Sequence, residues 1–579
     1  MNQSSPLGVC ILSQIRPNQP NCTYHSNYIT EILEHAGLPF EQIEAKDLAA
    51  LSTDLKILIT VGEAALDETA ATALRDFVQN GGSWLSLGSV CGLDEVHGVQ
   101  AISSPGYNDR QFVYSHCTLG EGYLQPAEKH PMLAHLNINL HYYNGIVVKV
   151  LSSHAKVLAT TQNAHGHAND VPALVESTFG DGHTLFLAAD AIGAIVRISQ
   201  GTTVIADGIS APDGSAPTAD GVLKCDDGLA LDWHFDRQEI PGVPGLKGFF
   251  EPIADQWREV ILRGIFYLAN KAGVALPLLW LYPRNLPALA HLSHDTDGND
   301  ATLGERLLQE VNKAGIYSTW CVIPEGYPKE LIEQIKKDGH ELATHYNAID
   351  HPWSEEEFAA QCERLKVLFG EQPVSNKNHY TRWEGGTEFF DWCHRQNLQL
   401  DQTKGPSKYG EVGFTFGSAQ LAFPLADNGE IHSVLEQPLH TQDLVIFAPP
   451  QIIPPLLDAV EKHHGVLHVL FHPAHIAKPG VADSLHDTIT LAKDRGFEWM
   501  TARQLNAWER ARRKVKLQAE FTEDNVAPKV LLSAPEPLSG ATILVLGHHQ
   551  TVEIDGEQYA AQPSTRFGFE FSAVTLGME

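Results

Sequence analysis

Apolar and polar positions run along this chain in two alternating rhythms. Short unbroken apolar runs, Leu7 to Ser13, Lys56 to Val61 and Trp84 to Leu87, predict buried strands. Between them Tyr28 to His35 predicts a helix ending at Gly37. Glu68 to Val78 predicts another, with Ala70, Leu74, Phe77 and Val78 apolar and Gly81-Gly82 closing it. Strand, helix, strand at this spacing argues for a doubly wound parallel sheet. No G-x-G-x-x-G follows the first strand, so a dinucleotide site has no support. Ala206 to Arg237 is rich in Asp and Gly, matches no EF-hand and reads as a solvated loop. Ile253 to Ala272 predicts a helix, and Pro277 to Pro287 a linker.

From Leu286 to Arg513 the beat becomes regular. A strand ending near Asp295 is followed by a helix through Leu303, Leu307 and Val311, then by the strand Tyr317 to Ile323. The helix Lys329 to Lys337 and the strand Glu341 to Tyr346 come next, and then Ser354-Glu-Glu-Glu357, a capping-box pattern opening a further helix. Pro455 to His463 predicts a helix, Val466 to Phe471 a strand, and Ala482 onward more helix. Repeated strand–helix units suggest a (β/α) barrel, whose chemistry sits where strands end. Beyond Lys516, Val530 to Leu532, Thr542 to Leu546, Val552 to Ile554 and Gly568 to Val574 are short strand candidates, with Asp555-Gly556 as a hairpin turn. The expected fold is α/β: an N-terminal doubly wound domain over 1–280, a central (β/α) barrel over 285–515 and a small all-β module over 522–579.

A chain of 579 residues has room for about two to four domains. Its 71 acidic against 40 basic residues give a net charge of −31, a field that repels nucleic acid and acidic membrane surfaces. Met1 to Leu7 lacks a secretory pattern, and no apolar run reaches membrane-spanning length. The eight scattered cysteines form no C-x-x-C, as expected of reduced, mostly buried thiols in a cytoplasmic protein. Self-association into a homo-oligomer stays open.

The polar residues at predicted strand ends carry the chemistry. Leu292-Ser-His-Asp-Thr-Asp-Gly298 places Asp295 and Asp297 two apart, on one face if strand geometry persists. Gly339-His-Glu-Leu-Ala-Thr-His345 ends in a histidine, with His351 six residues on. Asn378-His-Tyr-Thr-Arg-Trp383 and Val469-Leu-Phe-His472 supply the rest. One aspartate with two histidines makes a divalent-metal set with open positions. His379, His475, His432 and His440 can equally be structural, and Lys404 to Gly417 is either a loop over substrate or plain surface.

Two resemblances follow from these residues. Ala73 to Leu85 and Gly182 to Asp190 resemble the glutamine-amidotransferase-like, flavodoxin-like fold. Gly88-Ser-Val-Cys91-Gly92 puts its cysteine one residue out of the nucleophile register, so the domain reads as non-catalytic, with Cys91 buried. The stretch Leu286 to Arg513 resembles the polysaccharide deacetylase (NodB homology) superfamily, which hydrolyses N-acetyl and related amide or ester groups. That resemblance makes Asp295 the base, Asp297 and His345 metal ligands and His472 the acid. The superfamily's next ligand position is Ile349 here, and His351 is taken as its replacement, with Asp350 the alternative. The third motif survives loosely as Asn378 to Arg382. Arg382 is expected to hold Asp295 ionised, a backbone N–H near His379 or Tyr380 to stabilise an oxyanion, and Tyr380 and Trp383 to offer faces to a sugar ring. The implied protein is a divalent-metal enzyme, zinc favoured, removing an acyl group from an amino sugar or related carbohydrate. The alternatives are a carbohydrate-binding scaffold that has lost chemistry and an amidohydrolase acting on a non-sugar C–N bond.

Overall fold

The computed structural model describes residues 5–12, 25–63, 66–102, 119–208, 221–407, 411–520 and 527–577. It divides into two compact units, each discontinuous in sequence: Val196–Asp255 with Leu286–Arg510, and Met1–Ile195 with Gln256–Asn285 and Ala511–Glu579. This division differs from a linear one, because residues 196–255 belong with the barrel strands.

In the unit containing Leu286–Arg510, eight strands form an open, curled parallel sheet. They are β1 (Leu289–Asp295), β2 (Thr319–Val322), β3 (Glu341–Tyr346), β4 (Ser375–Asn378), β5 (Leu400–Asp401), β6 (Leu435–Glu436), β7 (Thr441–Gln442) and β8 (Val466–Leu470). Their order is β6-β5-β4-β3-β2-β1-β8-β7, and Glu498–Trp499 also pairs with β1. Among the described residues β6 and β7 do not pair, so the barrel is incomplete. Helices α1 (Ala301–Ala314), α2 (Lys329–Lys337), α3 (Glu355–Phe369), α4 (Glu388–Arg395), α5 (Ile453–Lys462) and α6 (Val481–Asp494) complete the strand–helix units. Helix α1 starts where Asp300 accepts the Leu303 N–H at 3.0 Å and stops at Gly315, whose φ is +65°. At α3 only half of the predicted capping box forms. Ser354 accepts the Glu357 N–H, but Glu357 turns its carboxylate to Gln361 and Arg364.

The two faces of β1 set up the site. Ala290 and Leu292 join Leu307, Val311, Trp320 and Leu467 in a buried apolar cluster, each large side chain contributing roughly 1.5–3 kcal/mol of transfer free energy. The alternate residues are polar. His291 reaches Gln402 Oε1 at 3.0 Å, and Ser293 is hydrogen-bonded to both His468 and Lys377 at 2.9 Å. A lumen filled by polar side chains rather than the usual branched aliphatics must satisfy every buried donor internally.

Over its described residues, 206–208 and 221–237, the Asp-rich stretch is not simply a solvated loop, while Asp213 and Asp220 lie outside the described residues. Asp226 and Asp236 are buried, Asp227 accepts the Gly208 and Lys224 N–H groups, and Asp232 accepts those of His234 and Phe235. Short carboxylates spaced as Asp227 and Asp232 are cap turns in this way. Backbone bridges Val204–Gly385, Lys224–Arg382 and Phe249–Gly413 pin this segment to the barrel loops. The segment from Lys404 is buried rather than a surface loop: Lys404 to Pro406, Glu411 to Gln420 and Gly413 itself are enclosed, while Gly410 lies outside the described residues.

In the other unit, five parallel strands run in the order Glu41–Ile43, Leu7–Leu12, Ile57–Gly62, Ser83–Leu87, Gly182–Leu187. Four antiparallel strands, not anticipated from the sequence, extend that sheet through Ala168–Phe179 to Leu140–Tyr142. Cys91 lies in an apolar cluster with Cys10, Leu58 and Trp84. Pro277–Leu279 is a strand pairing with Thr542–Leu546 and not a linker, since Leu278 and Leu279 gain a ladder and burial there. Thr551–Ile554 and Glu557–Ala560 form the expected hairpin, with φ of +49° at Asp555 and +86° at Gly556. Among the described residues no helix is long and apolar enough to cross a membrane.

Candidate metal centre at the strand ends

Asp295 closes β1, and the chain then turns rather than continuing extended. Asp297 has a φ of +38°, and Thr296 Oγ1 bonds Asn299 Oδ1 at 2.8 Å. The two carboxylates converge through this turn, not through the pleat alone. Asp297 Oδ1 is 3.4 Å and Asp295 Oδ2 3.9 Å from His345 Nε2, at the end of β3. His379, just past β4, brings its Nε2 to 3.7 Å from the same Asp297 oxygen. Asp297, His345 and His379 therefore form one group whose ligand atoms all lie within 4.8 Å of one another.

The tautomers show what this group lacks. His345 Nδ1 is 2.9 Å from the Lys377 carbonyl, which can only accept, so neutral His345 turns a lone pair outward at Nε2. His345 Nε2 and Asp297 Oδ1 are buried and have no hydrogen-bond partner among the described residues. Converging buried acceptors without a donor are costly, and a cation relieves them. Two ligands at zinc–nitrogen and zinc–oxygen bond lengths of about 2.0–2.2 Å would stand roughly 3.3 Å apart in a tetrahedral set. The observed 3.4 and 3.7 Å separations suit that spacing. Burial works against the charge of Asp297, but His345 when protonated, and then the His472 imidazolium, hold it well below the usual carboxylate range.

A second group, Asp443 with His472 and His475, is built differently. Asp443 Oδ2 meets His475 Nδ1 at 2.9 Å, is in hydrogen-bond contact with His472 Nδ1, and another Asp443 oxygen accepts the His472 N–H at 2.8 Å. The His472 contacts are hydrogen bonds, and the His475 nitrogen stands at ion-pair distance, too close for an ion between the atoms. Burial disfavours a charged His472, yet Asp443 and then Asp297 outweigh it and raise its pKa to about 9. Its Nε2 is left facing Asp297 Oδ2 at 3.6 Å.

Several expected roles move. His351 is not with the metal set. It is half exposed, and its Nδ1 pairs with Glu357 at 3.4 Å, because the turn after β3 carries it outward to α3. Arg382 pairs with its near neighbour Glu384 instead of Asp295. The cation beside Asp295 is Lys377, 3.5 Å from Oδ1, fully buried and donating to Ser293 Oγ. Trp383 is core, packed on Phe389 and Phe390 with its N–H on the Gly386 carbonyl, so it offers no face to a sugar. Tyr380 is exposed beside His379, with Lys224 Nζ 4.6 Å from its ring centre. The sequence reading missed Lys377 and Asp443. Lys377 sits on a strand inner face beside Asn378, and a charge at such a position is itself a signal.

No family model matches the sequence, and no curated protein does. Among solved structures, a probable polysaccharide deacetylase from Pseudomonas aeruginosa PAO1 aligns at 17% identity, over 36% of this chain and 73% of its own, with a TM-score of 0.29. The Puue allantoinase aligns at 13% identity over 39% and 91%, with a TM-score of 0.32. A β-galactosidase from Rahnella sp. R3 aligns at 16% over 32% of this chain, with a TM-score of 0.23. The alignment spans only 29% of that β-galactosidase's length.

Proposed function

We propose that this chain is a metal-dependent hydrolase of the deacetylase type, removing an acyl group from an amino sugar or a related C–N bond. The observation that carries the reading is the donor-free convergence of Asp297, His345 and His379 between Asp295 and His472. Asp297, His345 and His379 would hold a divalent ion, zinc by its preference for such donors, which when bound supplies Lewis acidity to an acyl oxygen and to water.

The chain's own residues divide the proton work. Asp295, with Lys377 Nζ 3.5 Å from its Oδ1, would accept a proton from the attacking water. Lys377 is in turn fixed by Ser293, whose hydroxyl donates to His468 Nε2, since His468 Nδ1 faces the Pro438 carbonyl. On the far side Asp443 anchors His472 Nδ1, which leaves Nε2 free to protonate the departing nitrogen. Tyr380 is the exposed ring at the rim available to a substrate.

The test is metal content followed by turnover. The purified chain should carry or take up one zinc, and should release acetate from N-acetylated sugars or from members of a non-sugar amide library. Asp297→Ala should lose both. Acyl release by neither substrate set, or metal retained in full by Asp297→Ala, overturns the proposal.

A further inference from the structure

We propose that Asn347 is the positioning residue that makes His379 the third ligand; the inference rests on the metal-site reading above. β3 ends at Tyr346, and Asn347 is the first residue of the turn that follows. Its side-chain oxygen accepts the Ile349 N–H at 3.1 Å. An N–H only donates, so that atom is identified as oxygen and not as the amide nitrogen. His379 Nδ1 lies 3.2 Å from the same oxygen and must carry the hydrogen between them. His379 Nε2 then presents a lone pair 3.7 Å from Asp297 Oδ1. Asn347 does for His379 what the Lys377 carbonyl does for His345.

Asn347 is itself held at two points. Its N–H donates to Gln361 Oε1 at 2.9 Å, and its carbonyl accepts from Gln361 Nε2 at 2.8 Å. Gln361 is fully buried on α3. The turn after β3 therefore contributes no ligand of its own. Position 349 is an isoleucine, whose backbone N–H sets Asn347, and Asn347 sets a ligand on the next strand. The pairing Tyr346–Asn378 places Asn347 and His379 one step beyond the same rung, which is why they meet.

The competing role for Asn347 is simply to close the turn, and three variants of the full chain separate the two. Asn347→Asp keeps an oxygen for both Ile349 and His379. Asn347→Ser can still cap the Ile349 N–H but is too short to reach His379. Asn347→Leu keeps neither. Zinc affinity is read by competition with a chromophoric chelator, and thermal unfolding without metal reports the turn. Asn347→Asp should bind zinc within about threefold of the parent, whereas Asn347→Ser and Asn347→Leu should bind it about 10- to 100-fold more weakly. The metal-free unfolding temperature of Asn347→Ser should stay near the parent's. Undiminished zinc affinity in Asn347→Ser, or equal losses in Asn347→Asp and Asn347→Ser, overturns the proposal. A parent chain that takes up no zinc instead overturns the metal-site reading, and this inference with it.

Discussion

At the scale of single residues, the proposed metal site turns on which histidine completes it. His351 is half exposed and paired with Glu357, whereas His379 is largely buried and shares an Asp297 oxygen with His345. His379→Ala should therefore lower zinc affinity by about 100-fold, while His351→Ala should leave it within about twofold. Equilibrium dialysis with zinc decides between them, and the reverse ranking would restore His351. That Asp295, Asp297, His345 and His472 gather in one cleft was legible, because each stands at a strand end within a recognisable local motif. The place of His379 beside them was not, because spacing along one loop cannot disclose a neighbour across a parallel pair. The rung His345–Lys377 brings His379 and Lys377 to the cleft, and register is set by packing rather than by local sequence. Glu384, two residues from Arg382, takes the pairing that the sequence suggested for Asp295.

At the scale of elements, the regular strand–helix beat was readable, and several boundaries, such as α2 and β3, coincide with the expected ones. Residues 196–208 and 221–255 were not readable as part of the barrel, because they hold on by isolated bridges instead of a strand pattern. The bridge between Phe249 and Gly413 shows how tight that attachment is. Gly413 has a φ of +91°, and a Cβ there would stand 2.0 Å from the Phe249 carbonyl oxygen. Gly413→Ala should cost about 3 kcal/mol or more, since it adds backbone strain to a clash that neither chain segment can relieve alone. The checks are thermal unfolding and limited proteolysis within 221–255. A melt unchanged within a degree would mean that this bridge contributes little to holding the segment.

At the scale of the whole molecule, the acidic composition and the buried histidines together set the response to pH. Burial lowers the pKa of His97 to about 3, with no partner on either ring nitrogen among the described residues, and lowers His291 to about 4 and His440 to about 3. Each is neutral when folded, whereas the unfolded chain takes up a proton as pH falls below about 6.5. The unfolded state then binds more protons, so stability is lost as pH drops from about 6.5 toward the folded values. Asp401 and Glu436 act in the opposite sense, because burial raises them to about 6 and about 8, and their protonation favours the fold over part of the same window. A single site isolates the histidine contribution. The His97 ring lies 4.3 Å from that of Trp84, tilted at 59°, and only burial shifts it, so His97→Phe keeps an aromatic ring while removing the proton site. Between pH 7 and pH 5 the parent should lose about 2 kcal/mol relative to His97→Phe. Hydrogen exchange at the amides of Ser83–Leu87, the strand that carries Trp84, reads this locally without requiring the two units to unfold together. If protection in the parent and in His97→Phe falls in parallel across that range, His97 is already charged in the folded state, and the acid sensitivity must come from the other buried histidines.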